Sequence, residues 1–215
     1  MKLFLISLVV MCFSACKHLT GETSTEVQQT DYQGISVEEL LKKAMLQDTM
    51  KFDRWEPFIS FVSYRSQENK LYAFAITRHT DSTMLISRYA LQDSTWKLIS
   101  SLSGLRGPGV FYHLNVADYD FDGVRDVFIT SVTSNGIALS QGNLVITDDI
   151  DNILVYHPEA DTLYSPIPDP NRKLVMSQKV INCAETGFRN VCDITNKWVD
   201  GRLVTTEQNC PCETE

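Results

Sequence analysis

The chain lacks what nucleic-acid binding and membrane crossing require. No lysine or arginine cluster stands anywhere along it, and its 19 basic residues are outnumbered by 27 acidic ones, for a formal charge of −8. Binding to nucleic acid rests on neutralising phosphates with such clusters, so the composition argues against it. The longest apolar run, Leu3 to Phe13, is well short of the roughly 20 residues that a membrane-spanning helix needs. Catalytic signatures are missing as well. There is no Gly-x-Ser-x-Gly elbow, no His-Glu-x-x-His pair and no Walker-type loop. Gly104-Leu105-Arg106-Gly107-Pro108-Gly109 precedes a strand-like run rather than a helix, so it reads as a turn and not as a phosphate cradle. His79, His113 and His157 are far apart in sequence, and each reads as a strand or turn residue rather than a catalytic base. No catalytic residue is therefore assigned.

The N-terminus decides the compartment. Met1-Lys2 supplies one positive charge, the apolar run follows, and Phe13-Ser14-Ala15 closes it with small residues before Cys16. A basic start, a short apolar stretch and a small-residue cleavage site make a secretory signal peptide over residues 1–15. Cys16 straight after Ser-Ala resembles the lipobox of bacterial lipoproteins. That resemblance implies that the Cys16 thiol is diacylated and becomes the mature N-terminus. Anchoring by more than one acyl chain is effectively stable. The expected location is the cell envelope, membrane-anchored and either periplasmic or surface-exposed. Residues 16–34 are rich in Thr, Glu, Gln and Ser and read as a disordered tether.

An exported chain sits where disulfides persist. With Cys12 removed with the signal and Cys16 lipidated, Cys183, Cys192, Cys210 and Cys212 remain, and four cysteines allow three connectivities. A bridge between Cys210 and Cys212 would be strained. Two arrangements stay open: Cys183 and Cys192 each pair with a tail cysteine, or they pair with each other across a hairpin. Zinc is disfavoured because no C-x2-C spacing occurs and no histidine lies nearby.

From residue 35 on, the pattern is that of one β-rich domain, 35–215. Ser36-Val37-Glu38-Glu39 is a capping box, and Val37, Leu40, Leu41, Ala44 and Met45 share one face of a short helix. After Pro57 the chain reads as β-branched and aromatic runs: Phe58 to Tyr64, Leu71 to Thr77, Met84 to Leu91 and Trp96 to Ser100. Polar turns separate them, which predicts antiparallel hairpins. Val110 to Val116, Asp126 to Thr133, Leu144 to Ile146, Ile153 to His157, Leu174 to Ile181 and Lys197 to Thr205 follow, with Pro166 to Pro170 as a rigid loop. Trp55, Trp96 and Trp198 are expected in the core. The fold class is all-β, mainly antiparallel, as a sandwich or a propeller-like arrangement, with a short N-terminal helix.

One constellation carries chemistry: Asp118-Tyr119-Asp120-Phe121-Asp122-Gly123-Val124-Arg125-Asp126. Calcium is a hard cation that takes six to eight oxygens, and alternate carboxylates on a tightly turning loop can converge on one point. On this reading Asp118, Asp120 and Asp122 give side-chain oxygens, Gly123 permits the turn, Val124 offers its carbonyl and Asp126 closes the shell. An EF-hand would need a glutamate at loop position 12, where Ile129 stands, and flanking helices where strands are expected. Asp148-Asp149 and Asp151 form a second acidic group that reads equally well as further ligands or as a solvated turn.

The nine-residue pattern resembles the calcium loops of FG-GAP and VCBS-type repeats. The order from Asn115 to Leu203, through Ser134-Asn135-Gly136, Gly142-Asn143 and Val155-Tyr156-His157 to Lys197-Trp198-Val199-Asp200-Gly201-Arg202-Leu203, resembles bacterial envelope domains with a single such loop. Some of those are calcium-dependent inhibitors of lysozyme-type effectors. The resemblance implies a Ca2+-stabilised, non-enzymatic module with a protein partner in the envelope, inhibiting a cell-wall hydrolase with residues 104–109 or 134–142 as the inserting loop. The alternative is a glycan-binding protein or a cell-surface hydrolase that uses calcium structurally.

Overall fold

The computed structural model describes residues 34–47, 49–107, 114–133, 140–148, 150–183 and 189–211. The signal peptide, Cys16, the tether up to residue 33, His113, Asp149, Cys212, and the 108–109 and 134–139 parts of the two suspected loops lie outside these residues.

Helix α1 (Val37–Ala44) begins where the capping box places it: Ser36 Oγ accepts from the Glu39 amide, and Glu39 returns a carboxylate oxygen to the Ser36 amide at 2.8 Å. Leu40, Leu41 and Ala44 are buried, whereas Met45 caps the helix and is exposed.

Five strands then form an antiparallel meander: β1 (Met50–Arg54), β2 (Ile59–Arg65), β3 (Leu71–Arg78), β4 (Thr83–Gln92) and β5 (Thr95–Arg106). Eight more build a second antiparallel sheet: β6 (Leu114–Ala117), β7 (Asp126–Thr133), β8 (Ser140–Asp148), β9 (Ile153–His157), β10 (Tyr164–Asp169), β11 (Leu174–Asn182), β12 (Arg189–Val199) and β13 (Arg202–Asn209). The far edge of β8 is shared, with β9 pairing Leu144 to Asp148 and β10 joining at Gln141. The fold is thus all-β and antiparallel with one α-helix among the described residues, as the hydrophobic alternation predicts, and its sheets are layered.

Side-chain alternation explains the layering. Along β3, Ala73 and Ala75 face one way, against Leu40, Leu41 and Ala44 of the helix. Phe74 and Ile76 face the other way, into a core shared with Leu114, Val127, Ile129, Val145 and Leu154 of the second sheet. The opposite face of β7 and β8 carries Phe128, Leu144 and Ile146, which pack with Val175, Ile194 and Leu203 from β11 to β13. Strands β7 and β8 are therefore covered on both faces, and their near-continuous apolar runs reflect it.

Four sequence readings need correction. Pro166 to Pro170 is not a rigid loop: β10 runs from Tyr164 to Asp169, with a register shift between Tyr164 and Ile167 that accommodates its prolines. Lys197 to Thr205 is not one strand, because Asp200 and Gly201, both at positive φ, turn the chain between β12 and β13. Gly104, read as part of a turn, lies at a bulge within β5, since Met84 faces Leu105 while Leu85 faces Ser103. Trp55 is not core: it is 39% exposed and meets Phe58 edge-on. Trp96 and Trp198 are partly buried, and Trp96 Nε1 ties the sheet to the helix by donating to the Leu41 carbonyl at 2.7 Å.

Cys192 and Cys210 form a disulfide between β12 and the end of β13, with Cα atoms 4.4 Å apart. Their neighbours Asp193 and Asn209 are partners across the same ladder, so the strand register brings the two thiols together. Cys183 is disulfide-bonded too.

Candidate metal centre

The acidic loop is the connection of a hairpin. Ala117 at the end of β6 pairs with Asp126 at the start of β7, and the eight residues between them turn the chain. The loop is held by its own carboxylates. Asp118 accepts from the amides of Phe121 (2.7 Å) and Gly123 (3.0 Å), and Asp120 accepts from that of Asp122 (3.2 Å). Phe121 stands at φ +67° and Gly123 at φ +94°, so the chain coils back on itself at two points.

Asp126 anchors the loop to the sheets. It is fully buried, one oxygen accepting from the Tyr119 amide at 2.7 Å and the other from the Thr147 amide of β8 at 2.8 Å. Thr147 also donates its hydroxyl to the Arg125 carbonyl. Tyr119, buried, is gripped from the third layer: its carbonyl accepts from Trp198 Nε1 at 2.6 Å, and its hydroxyl donates to the Pro166 carbonyl at 3.3 Å. Trp198 in turn rests edge-on against His157, whose ring lies 3.0 Å from Glu159.

Carboxylate oxygens of Asp118, Asp120 and Asp126 all lie within 4.8 Å of one another. Asp122 is not in this group. One of its oxygens accepts from the Val124 amide at 2.7 Å, as the carboxylates of Asp118, Asp120 and Asp126 accept from other amides. Asp148 stands apart as well, accepting from the Ile150 and Asp151 amides in the β8–β9 turn, which is ordinary turn chemistry.

The electrostatics of the triad are unfavourable on their own. Burial, aided by the charges of Asp120 and Asp122, pushes the Asp126 carboxyl up to about 8 against the opposing Thr147 and Tyr119 amides. Burial, with Asp122 and Asp118 beside it, raises Asp120 to about 6. An all-oxygen donor set with mutually repelling charge fits a hard divalent cation, and calcium suits it better than metals that prefer nitrogen or sulfur. Asp118, Asp120 and Asp126 are the residues that would hold it.

Sequence reasoning missed the supports of this site. Thr147 and Tyr119 act through backbone groups, which carry no compositional signal. Trp198 lies 79 residues from Tyr119, and only the Lys-Trp opening of the terminal hairpin hinted at it. No family model, curated protein or solved structure matches the chain.

Proposed function

We propose that the protein is a lipid-anchored cell-envelope lipoprotein that works as a calcium-stabilised binding module for another envelope protein. Inhibition of a cell-wall hydrolase is the concrete form suggested by the resemblance of the loop to single-loop inhibitor domains. The observation that carries the reading is the convergence of Asp118, Asp120 and Asp126 within 4.8 Å at the end of the β6–β7 hairpin. An ion there would relieve the repulsion between the three carboxylates and join the loop to β7 and β8, making a firm platform on which neighbouring loops can present a binding surface.

The test is a thermal melt of the full-length, detergent-solubilised protein in calcium and then in EGTA. An ion present at 100 times its dissociation constant adds about 2.7 kcal/mol. For a domain of this size that is roughly 5–10 °C in Tm. Asp120→Ala should remove the gain in calcium and change little in EGTA. Equal losses in both conditions would end the metal assignment.

A further inference from the structure

The two peptide units that flank Tyr119 are held by different layers of the fold. Its amide donates to Asp126 at 2.7 Å, whereas its carbonyl, in the peptide unit shared with Asp120, accepts from the Trp198 indole of β12 at 2.6 Å. The Tyr119 hydroxyl donates to the Pro166 carbonyl of β10 at 3.3 Å, which fixes the same residue at a third point. Phe121 packs against the buried cluster of Phe128, Ile194 and Leu203, on which Trp198 also rests. Trp198 pairs with Leu203 across the β12–β13 ladder, and the Leu203 amide donates to Glu159 at 3.3 Å. The Cys192–Cys210 disulfide ties the other end of the same two strands. The acidic loop is thus fastened to a covalently closed hairpin, through a residue 79 positions from Tyr119.

An indole N–H donates and never accepts, and a buried carbonyl left without a donor is costly. Turning the Tyr119–Asp120 peptide away from Trp198 therefore costs free energy, and it moves the Asp120 carboxylate off its place within 4.8 Å of Asp118 and Asp126. The three carboxylates repel one another in that place, so the bond from Trp198 holds the loop against their repulsion. We propose that Trp198 is a positioning residue for the metal centre, and that the ion and the β12–β13 hairpin are coupled through Tyr119. This rests on the calcium reading: the hairpin keeps the loop in the arrangement the ion needs, and apparent affinity scales with the fraction of protein held there. Coupling of this kind is reciprocal, so an ion in the loop steadies the hairpin by the same factor. A residue that served packing alone would lower stability equally with and without the ion.

The experiment compares the full-length, detergent-solubilised protein with Trp198→Phe, which keeps a ring against His157 and removes the N–H. Calcium is titrated calorimetrically, and terbium is added as a luminescent substitute excited through tryptophan. Amide hydrogen exchange is followed in calcium and in EGTA, because it reports local opening segment by segment. The wild type is expected to bind calcium, to sensitise terbium, and to gain more protection over β12–β13 than over β2–β4 when calcium is added. Trp198→Phe is expected to bind calcium roughly tenfold more weakly, the scale of one lost hydrogen bond. It is also expected to lose most of the terbium emission at saturation and the extra protection of the hairpin. Unchanged calcium affinity in the folded variant overturns the coupling and leaves the metal. Should Trp198→Phe fail to fold, the wild type decides alone: protection that rises equally over β12–β13 and β2–β4 overturns the coupling. A wild type that gives neither calcium heat nor terbium emission removes the metal and the coupling together.

Discussion

At Glu159 three donors meet one carboxylate, and the balance of forces on it has a pH signature. Burial raises its pKa, but the hydrogen bonds from His157 and from the backbone amides of Glu159 and Leu203 outweigh that, so the carboxyl sits below its ordinary value of 4.5. The folded state thus prefers the ion more than the unfolded chain does. The contribution is present in full above the unfolded value and is lost as pH falls through the depressed folded value. Glu159→Gln should melt below the wild type by a constant interval at neutral pH, and the interval should shrink below roughly pH 4.5. A gap that stays unchanged down to pH 3 would contradict the assignment. The aspartates of the loop were legible at this scale, since their spacing marks a turning strip of carboxylates. Which of them converge was not. The positive φ of Phe121, at 67°, which coils the loop and sets where each carboxylate points, is a backbone event that alternate spacing does not encode.

Elements were legible where alternation was strong and flanked by turn residues. The runs over Asp126 to Thr133 and Ile153 to His157 coincide with β7 and β9. Strand β1 escaped because charged residues punctuate it: Lys51 and Asp53 are the exposed positions of Met50–Arg54, on an edge with one neighbour. Strand β10 escaped because prolines argue against a ladder. The β7–β8 pair also carries a constraint that is visible only in three dimensions. Gly142 faces Thr130, and a Cβ built there would stand 2.0 Å from the Ile129 carbonyl oxygen. Gly142→Ala must push the two strands apart, at a cost of about 3 kcal/mol, the upper range for overpacking. The same strands carry Asp126 and Thr147, which share a 2.8 Å hydrogen bond, so calcium affinity should fall together with stability. Urea unfolding and a calcium titration of the variant check both effects. A midpoint within error of the wild type would mean that the close approach is not maintained in solution.

Over the whole molecule, local patterns revealed the hairpins but not their stacking. A cleft beside the acidic loop gathers Arg65, Arg88, Asp118 and Pro168 from four separate stretches of chain, and no spacing rule links them. A faint signal existed in Arg88, a charge set between Ile86 and Ala90 on a strand whose face looks into the core. Attachment to the envelope belongs to this scale, because the folded unit beginning at Ile35 and the Cys16 signal are separate parts of the chain. The lipobox resemblance assigns all membrane affinity to acyl chains on Cys16. The acidic composition supplies none, since a chain of charge −8 is repelled by anionic lipid surfaces. Each buried acyl CH2 adds roughly 0.8 kcal/mol, and more than one chain makes the anchor stable. Cys16→Ser should therefore abolish incorporation of labelled palmitate in cells. Binding of the folded domain to calcium should be unaffected, because the loop lies more than a hundred residues further along the chain. Palmitate labelling that survives the substitution would move the lipid to another cysteine. Undiminished membrane retention without label would place the anchor in the uncleaved apolar run of Leu3 to Phe13.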